Sequence, residues 1–103
     1  MQTNETRRGY LIANIKVTDQ AAFERYRAAV PAVIARHGGR YLVRGGELDR
    51  LENAQGFNRV VVLEFPSLAA ARAFYASADY APLSKLRSDS TESQVVLVEG
   101  HGG

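Results

Sequence analysis

The sequence predicts an α+β fold, in which a four-stranded antiparallel sheet carries helices on one of its faces. The first observation is the order of the predicted elements, strand, helix, strand, strand, helix, strand, which is the split βαβ arrangement. The second is the pattern of apolar residues, which alternates in the strand segments and recurs at helical spacing between them. The third is size, because 103 residues with 46% hydrophobic content suit one compact domain, assigned to residues 9–100 between flexible tails at 1–8 and 101–103.

The first part of the chain predicts a strand followed by a helix. Residues 10–17 are β-branched and apolar enough to form the strand, and Thr18 or Asp19 can cap the helix after it. Pro31 interrupts this helix, so we expect a kink or a break into two short helices near Ala29. One apolar stripe of the helix is expected to face the core: Phe23, Tyr26, Val30 and Ile34.

A long hairpin is predicted next. Gly38 and Gly39 end the first helix, because glycine readily takes the left-handed conformation found after helix ends. A second strand is predicted at residues 40–44, continuing past a Gly pair as far as Leu51, and a third at residues 59–65.

The remaining segments predict two helices and a last strand. Ser67 can cap a helix whose inward residues are Leu68, Ala71, Phe74 and Tyr75. Asp79 can cap a short final helix whose inward residues are Tyr80, Leu83 and Leu86. Residues 95–98 are expected to form the fourth strand.

The predicted sheet is apolar on both faces. A face exposed to water would be mostly polar, yet the first, third and fourth strands have apolar side chains in both alternating sets. The uncovered face is expected to carry a row of aliphatic residues: Ile12, Val60, Val62, Val95 and Leu97. The simplest cover is a second copy of the same sheet, so we predict an obligate homodimer through this open face.

Composition excludes several classes of function. The net charge is only +2 and the basic residues are scattered among acidic ones, so no nucleic-acid partner is expected. The chain shows neither a membrane-spanning run nor the apolar core of a signal peptide, so we expect no membrane partner and a cytoplasmic location. With two His, no Cys and no grouped carboxylates, no metal site is expected, and no motif indicates a cofactor.

Arg44 and Glu64 form the candidate polar site. Arg44 ends one strand of the hairpin and Glu64 lies near the end of the other, so we expect direct contact between their side chains. In an enzyme, Arg44 would hold a developing oxyanion and Glu64 would move a proton. In a binding or assembly protein, the same two residues would form a structural salt bridge.

Four further residues are candidates for ligand binding: Asn14, Tyr26, Tyr80 and Arg87. Each tyrosine is either a core ring with a solvated hydroxyl or a donor to a ligand, and Arg87 either points into the same cavity or lies in solvent. The expected pocket has Arg44 and Glu64 near its mouth. Its walls are expected to be Ile12, Asn14, Val62, Tyr80 and Leu97.

Several short motifs are distributed along residues 9–100: Gly9-Tyr10, Thr18-Asp19, Gly38-Gly39-Arg40-Tyr41, Arg44-Gly45-Gly46, Glu64-Phe65-Pro66-Ser67, Tyr80 and Val98-Glu99-Gly100. In these motifs the chain resembles the bacterial family known as domain of unknown function 1330. The resemblance implies a ferredoxin-like fold of the dimeric α+β barrel group. Relatives in that group include cofactor-free monooxygenases, haem-degrading enzymes, lactone isomerases and stress-response proteins, so the resemblance alone selects no reaction.

The function predicted from the sequence is therefore stated as two alternatives. The first is a homodimer that binds a small carbonyl or anionic metabolite in a barrel-side pocket, with cofactor-free acid/base chemistry on it. The second is a non-catalytic ligand-binding protein or a structural, stress-related assembly module, in which the Arg44 and Glu64 pair is architectural.

Overall fold

The computed structural model describes residues 7–102, and within them the chain forms four strands and three helices. In chain order these are β1 (Gly9–Val17), α1 (Gln20–Arg36), β2 (Arg40–Arg44), β3 (Arg59–Phe65), α2 (Leu68–Tyr75), α3 (Ala81–Ser90) and β4 (Thr91–Glu99). The strands form one antiparallel sheet in the order β2-β3-β1-β4, which confirms the predicted α+β fold. Of the predicted tails, residues 1–6 and 103 lie outside the described residues. No helix of the described part is long and apolar enough to cross a membrane.

Two predicted helix caps are confirmed and one is wrong. The Asp19 carboxylate accepts a hydrogen bond from the main chain at the start of α1, and the Ser67 hydroxyl does the same for α2. Asp79 does not cap α3, which begins after Tyr80. Its carboxylate instead lies 3.3 Å from two donors at the end of α1, Arg36 Nε and His37 Nε2. The Arg36 guanidinium supplies a charged hydrogen-bond donor, which is a stronger partner for this carboxylate than a main-chain N–H.

Helix α1 is continuous through Pro31, so the predicted break into two helices is wrong. The proline lies between buried residues on both sides, and these residues pack against the sheet: Phe23, Val30, Val33 and Ile34. Packing of this apolar stripe offsets the local cost of the proline, which is about 3 kcal/mol in a helix interior.

The strand boundaries differ from the prediction at two places. Strand β2 ends at Arg44 rather than Leu51, because Gly45 takes the left-handed conformation (φ 67°) and turns the chain away from the sheet. Residues 45–58 then form a loop without helix or strand. Strand β4 begins at Thr91, well before the predicted position, and pairs with β1 along its whole length.

The core lies between the sheet and the helices. Its sheet side comes from alternate residues of β1 and β3, such as Leu11 and Leu63. Val95 and Leu97 of β4 pack against this core, because their partners in the register are Ala13 and Leu11. Their predicted place on the uncovered face is therefore wrong.

The opposite face of the sheet, called the open face below, is largely aliphatic. The register assigns to it Ile12, Val43, Val60, Val62, Val96 and Val98, with Tyr10, Asn14, Arg40 and Glu64 at its ends. Ile12 and Val96 are 38% and 55% exposed, so large apolar side chains meet solvent in the single chain. Such a contiguous apolar surface is typical of an interface.

Candidate functional site

A cavity of about 40 Å³ lies between the helices and the inner face of the sheet. This space holds roughly two or three water-sized groups, so an occupant would be small unless side chains move. The lining is mainly apolar or aromatic, with four arginines and no carboxylate or histidine. The polar lining residues are Tyr26, Arg27, Tyr41, Arg44, Arg59, Tyr80 and Arg87.

Three arginines from different elements meet at the solvent-facing end of the cavity, which we call the mouth: Arg27 of α1, Arg44 of β2 and Arg59 of β3. The Arg44 guanidinium carbon lies 4.5 Å from the centre of the Tyr41 ring, within cation–π range. Burial and the charges of its two arginine neighbours lower the pKa of Arg59. Three guanidinium groups therefore meet at the mouth, and burial together with the charges of Arg27 and Arg44 disfavours the charged form of Arg59.

Arg59 is the most constrained of the three. It belongs to the helix-facing set of β3, opposite Ile15 of β1. Its guanidinium lies directly against Gly45, where an added Cβ would collide with it. Its Nε is buried and has no hydrogen-bond partner among residues 7–102. A buried guanidinium donor without an acceptor is costly, so an acceptor placed beside this Nε would stabilise the protein.

Arg44 is held by the main chain of α1. Its Nη2 donates a 2.8 Å hydrogen bond to the carbonyl oxygen of Arg27. In an uninterrupted helix that oxygen would accept from the residue four positions later, which here is Pro31 and has no N–H. The proline thus leaves an acceptor that fixes the side chain of Arg44 beside the cavity.

A chain of hydrogen bonds forms the inner end of the cavity. The hydroxyl oxygens of Tyr26 and Tyr80 are 3.0 Å apart, and Arg87 Nε lies 3.4 Å from the Tyr80 hydroxyl. The other Arg87 nitrogens donate to Ser93 Oγ at 2.6 Å and to the Tyr75 hydroxyl at 3.3 Å. Tyr80 is 2% exposed and Arg87 is 5% exposed. Burial raises the pKa of Tyr26, so its hydroxyl keeps its proton.

No carboxylate of the described chain lies within salt-bridge distance of Arg87. Its hydrogen-bond partners are neutral hydroxyls, so its positive charge is buried without a counter-ion. Buried charges are normally paired, and an uncompensated one marks a position where negative charge would be stabilised.

The predicted contact between Arg44 and Glu64 is wrong. A β-bulge between Tyr41 and Val43 shifts the pairing of β2 with β3, so Glu64 lies opposite Arg40, and Arg44 lies opposite Val61. Consequently Arg44 belongs to the helix-facing side of the sheet and Glu64 to the open face. The predicted contact assumed a hairpin centred near Ala54 and Gln55, whereas the pairing of Arg40 with Glu64 puts the centre earlier in the chain.

Glu64 has other partners on the open face. It accepts hydrogen bonds from Arg40 Nε at 2.8 Å and from the Tyr10 hydroxyl at 3.0 Å. Arg8 Nε lies 3.9 Å from the same carboxylate. The hydrogen bonds from Arg40 and Tyr10 lower the pKa of Glu64, so this carboxylate is ionised and well satisfied.

Asn14 also lies on the open face, where it connects the loop to the sheet. Its Nδ2 donates to the Gly56 carbonyl at 2.8 Å and to Gln94 Oε1 at 2.9 Å, and its Oδ1 accepts from the Asn58 main chain at 2.8 Å. The single pocket expected from the sequence is therefore wrong. Ile12, Asn14 and Val62 lie on the open face, whereas Tyr80 and Leu97 lie on the helix side.

The structure thus brings together four of the predicted site residues, Tyr26, Arg44, Tyr80 and Arg87, around one cavity. Arg27 and Arg59 also line the cavity and were not among the predicted site residues. Arg59 could have been found, because a charge in the same alternating set as Val61 and Leu63 must lie among apolar side chains or at a site. Arg27 carried a similar signal, because it lies four residues after Phe23 and three before Val30, on the apolar stripe of its helix.

The element order and the antiparallel sheet define a ferredoxin-like α+β protein with a small cavity between its sheet and its helices. The chain belongs to the family described as Domain of unknown function (DUF1330), which matches residues 8–101. This match confirms the resemblance found in the sequence motifs.

Two solved structures show the similarity of fold. RPA0582 from Rhodopseudomonas palustris, described as a protein of unknown function, is 17% identical with a TM-score of 0.75, over 96% of this chain and 86% of that one. SnoaB from Streptomyces nogalater, described as a cofactor-independent oxygenase, is 18% identical with a TM-score of 0.62, over 95% of this chain and 97% of that one. No curated protein matches the chain. At these identities the likeness shows the fold alone.

Proposed function

We propose that this protein is a homodimer that binds a small anionic metabolite in the cavity of each subunit. The observation that carries the proposal is the buried, unpartnered Nε of Arg59 at a mouth shared with Arg27 and Arg44. An anion would neutralise their mutual repulsion and accept charge-assisted hydrogen bonds, which are about twice as strong as neutral ones. Arginine also matches a carboxylate with two parallel donors, so a carboxylate is the favoured anion.

The composition of the cavity supports an anion rather than a cation or a wholly neutral ligand. Every ionised side chain in the lining is an arginine, and the remaining walls are aliphatic or aromatic. Glu24 lies 3.6 Å from Arg27 outside the lining and also favours the charged form of Arg59, but burial and the charges of Arg27 and Arg44 outweigh it there. A small apolar body with a negatively charged end fits this arrangement.

Dimerisation through the open face is supported by the same apolar surface that the single chain exposes. Aliphatic residues of β1, β3 and β4 form its centre, and the Glu64, Arg40 and Tyr10 cluster lies at its edge. A two-fold axis would bring two identical apolar faces together, the simplest symmetric way to remove them from water.

The residues that line the cavity favour ligand binding without catalysis. Glu64 lies on the other face of the sheet, and the cavity is lined by neither a carboxylate nor a histidine that could act as a base. Cofactor-free chemistry on a carbonyl compound is the second candidate, favoured by the Tyr26, Tyr80 and Arg87 chain. In that case the tyrosines would supply hydrogen bonds and protons in place of Glu64.

The test is calorimetric titration of small carboxylates, with propionate and valerate as probes, into the wild type and Arg59→Met. We expect the variant to lose about tenfold or more in affinity, the effect of one charged hydrogen bond, with unchanged or increased stability because a strained charge is removed. Arg72→Met, at an exposed position of α2, removes the same charge away from the cavity and should bind like the wild type. Equal affinity in wild type and Arg59→Met, or no carboxylate binding at all, would exclude the proposed site.

A further inference from the structure

The two polar ends of the cavity differ in chemistry. The mouth presents charged guanidinium groups on side chains that are exposed or half-buried, Arg27, Arg44 and Arg59. The inner end presents phenol hydroxyl groups, those of Tyr26 and Tyr80, backed by a buried arginine. Between the ends the walls are apolar, with Leu11, Ala13, Ile15, Phe23, Val30, Val61, Leu63 and Phe74 among them.

The direction of the hydrogen bonds at the inner end follows from Arg87. A guanidinium group only donates, so the Tyr80 oxygen accepts from Arg87 Nε. The proton of Tyr80 is then free to be donated to the Tyr26 oxygen, 3.0 Å away. In this arrangement Tyr26 can direct its own proton into the cavity, and each bond in the series polarises the next.

We infer that the ligand carries two oxygen functions, a carboxylate at the arginine mouth and a neutral carbonyl oxygen that accepts a hydrogen bond from Tyr26. The ligand class is therefore a small oxo-carboxylate. This inference rests on the proposed function, since it requires that the mouth holds the carboxylate.

A neutral oxygen suits the inner end better than a second carboxylate does. The donor nearest the cavity at this end is a phenol, and burial keeps it protonated. Arg87 donates to three neutral hydroxyls and so acts on the cavity chiefly through its charge. A carbonyl oxygen, with its partial negative charge, is stabilised by that charge and costs much less to bury than a second full charge.

Matched pairs of ligands isolate the carbonyl oxygen. Pyruvate is compared with propionate, and levulinate with valerate, so that each pair differs chiefly by the oxo group. In the wild type we expect at least one oxo acid to bind roughly two- to tenfold more tightly than its partner, the effect of one hydrogen bond of ordinary strength. Two chain lengths are used because the oxo group must reach Tyr26 while the carboxylate stays at the mouth.

Substitutions test whether Tyr26 causes the preference for the oxo acid over the plain carboxylate. Tyr26→Phe should abolish the preference, so that the oxo acid and its plain partner bind to the variant with equal affinity. Tyr75→Phe is the matched control, because its hydroxyl bonds to the same Arg87 but the residue does not line the cavity. A second measurement needs no variant: the resonance of a ¹³C-labelled carbonyl should move downfield when the oxo acid binds to the wild type.

The outcomes separate the two hypotheses. If the wild type binds no carboxylate, the proposed function fails and the inference fails with it. If carboxylates bind through Arg59 but without a preference for either oxo acid, only the inference is overturned. It is also overturned if the preference survives in Tyr26→Phe, or if the carbonyl resonance does not move on binding.

Discussion

Arg44 of β2 donates a 2.8 Å hydrogen bond to the carbonyl oxygen of Arg27 in α1, at the position where Pro31 removes the helical donor. The same proline that weakens the helix therefore creates the acceptor that holds a cavity arginine. This relationship connects a local defect in the sequence pattern to the geometry of the mouth, and it makes Pro31 a positioning residue.

Pro31→Ala should raise stability and lower affinity for a carboxylate. Alanine restores the N–H that bonds to the Arg27 carbonyl and removes a helix-interior proline, for a net gain of about 2 kcal/mol after the unfolded state is considered. The restored donor competes with Arg44, so its guanidinium becomes less fixed. Urea unfolding and calorimetric titration with valerate measure the two effects. Unchanged affinity in a more stable variant would show that the bond to Arg27 does not position Arg44.

Gly45→Ala should destabilise the protein, whereas Gly46→Ala should be nearly neutral. Gly45 has a φ of 67°, and an added Cβ would collide with the Arg59 guanidinium, while Gly46 has no heavy atom within 4 Å of such a Cβ. The left-handed conformation alone costs a residue with a Cβ about 1–2 kcal/mol. Thermal unfolding of both variants checks the difference, and equal stabilities would contradict it.

Val96→Asp should convert the proposed dimer into a monomer. Val96 is 55% exposed in the single chain, so an aspartate at this position should cost the single chain little stability. Between two open faces the same carboxylate would be buried without a partner, which disfavours the dimer. Sedimentation velocity should show half the mass of the wild type. Ala73→Asp, on the exposed side of α2, adds the same charge elsewhere and should leave the assembly unchanged. A wild type that sediments as a monomer at micromolar concentration would rule out the dimer.

Glu64 should make stability depend on pH in acid solution. Hydrogen bonds from Arg40 and Tyr10 hold the pKa of Glu64 below its ordinary value of 4.5. The folded state therefore favours the ionised carboxylate, and its contribution is complete above about pH 4.5 and lost as the pH falls through the folded-state pKa. Glu64→Gln should remove this part of the pH dependence, as measured by unfolding at a series of pH values. An identical pH profile in the variant would contradict the assignment.

The sheet and the helices could be predicted because the spacing of apolar residues indicates which side chains are buried. Alternation in β1 and β3 and the stripe of α1 separate core residues such as Leu11, Leu63 and Ile34 from the rest. The same spacing does not indicate which residue of one strand pairs with which residue of its neighbour. The β2–β3 register depends on a bulge and on the loop at residues 45–58, and neither has a distinctive pattern, so the partner of Glu64 was predicted wrongly.

Only part of the candidate site could be predicted from the sequence. The helical positions of Tyr26 and Tyr80 indicated which face each presents, whereas the position of Arg87 left open whether it points into the cavity or into solvent. Arg59 was missed although alternation assigns it to the inner face. Its role depends on a meeting of three elements that are distant in the sequence, and only the tertiary structure brings Arg27, Arg44 and Arg59 together.

The bulge in β2 has a consequence for how this protein could have changed over time. A regular strand of the same five residues would point Arg40 and Arg44 to the same side of the sheet, because they are four positions apart, whereas the bulge at Leu42 points them to opposite sides. With it, Arg40 serves the surface proposed for dimerisation and Arg44 serves the cavity. Selection can therefore act on the proposed assembly and on the proposed ligand preference through separate codons of one short strand.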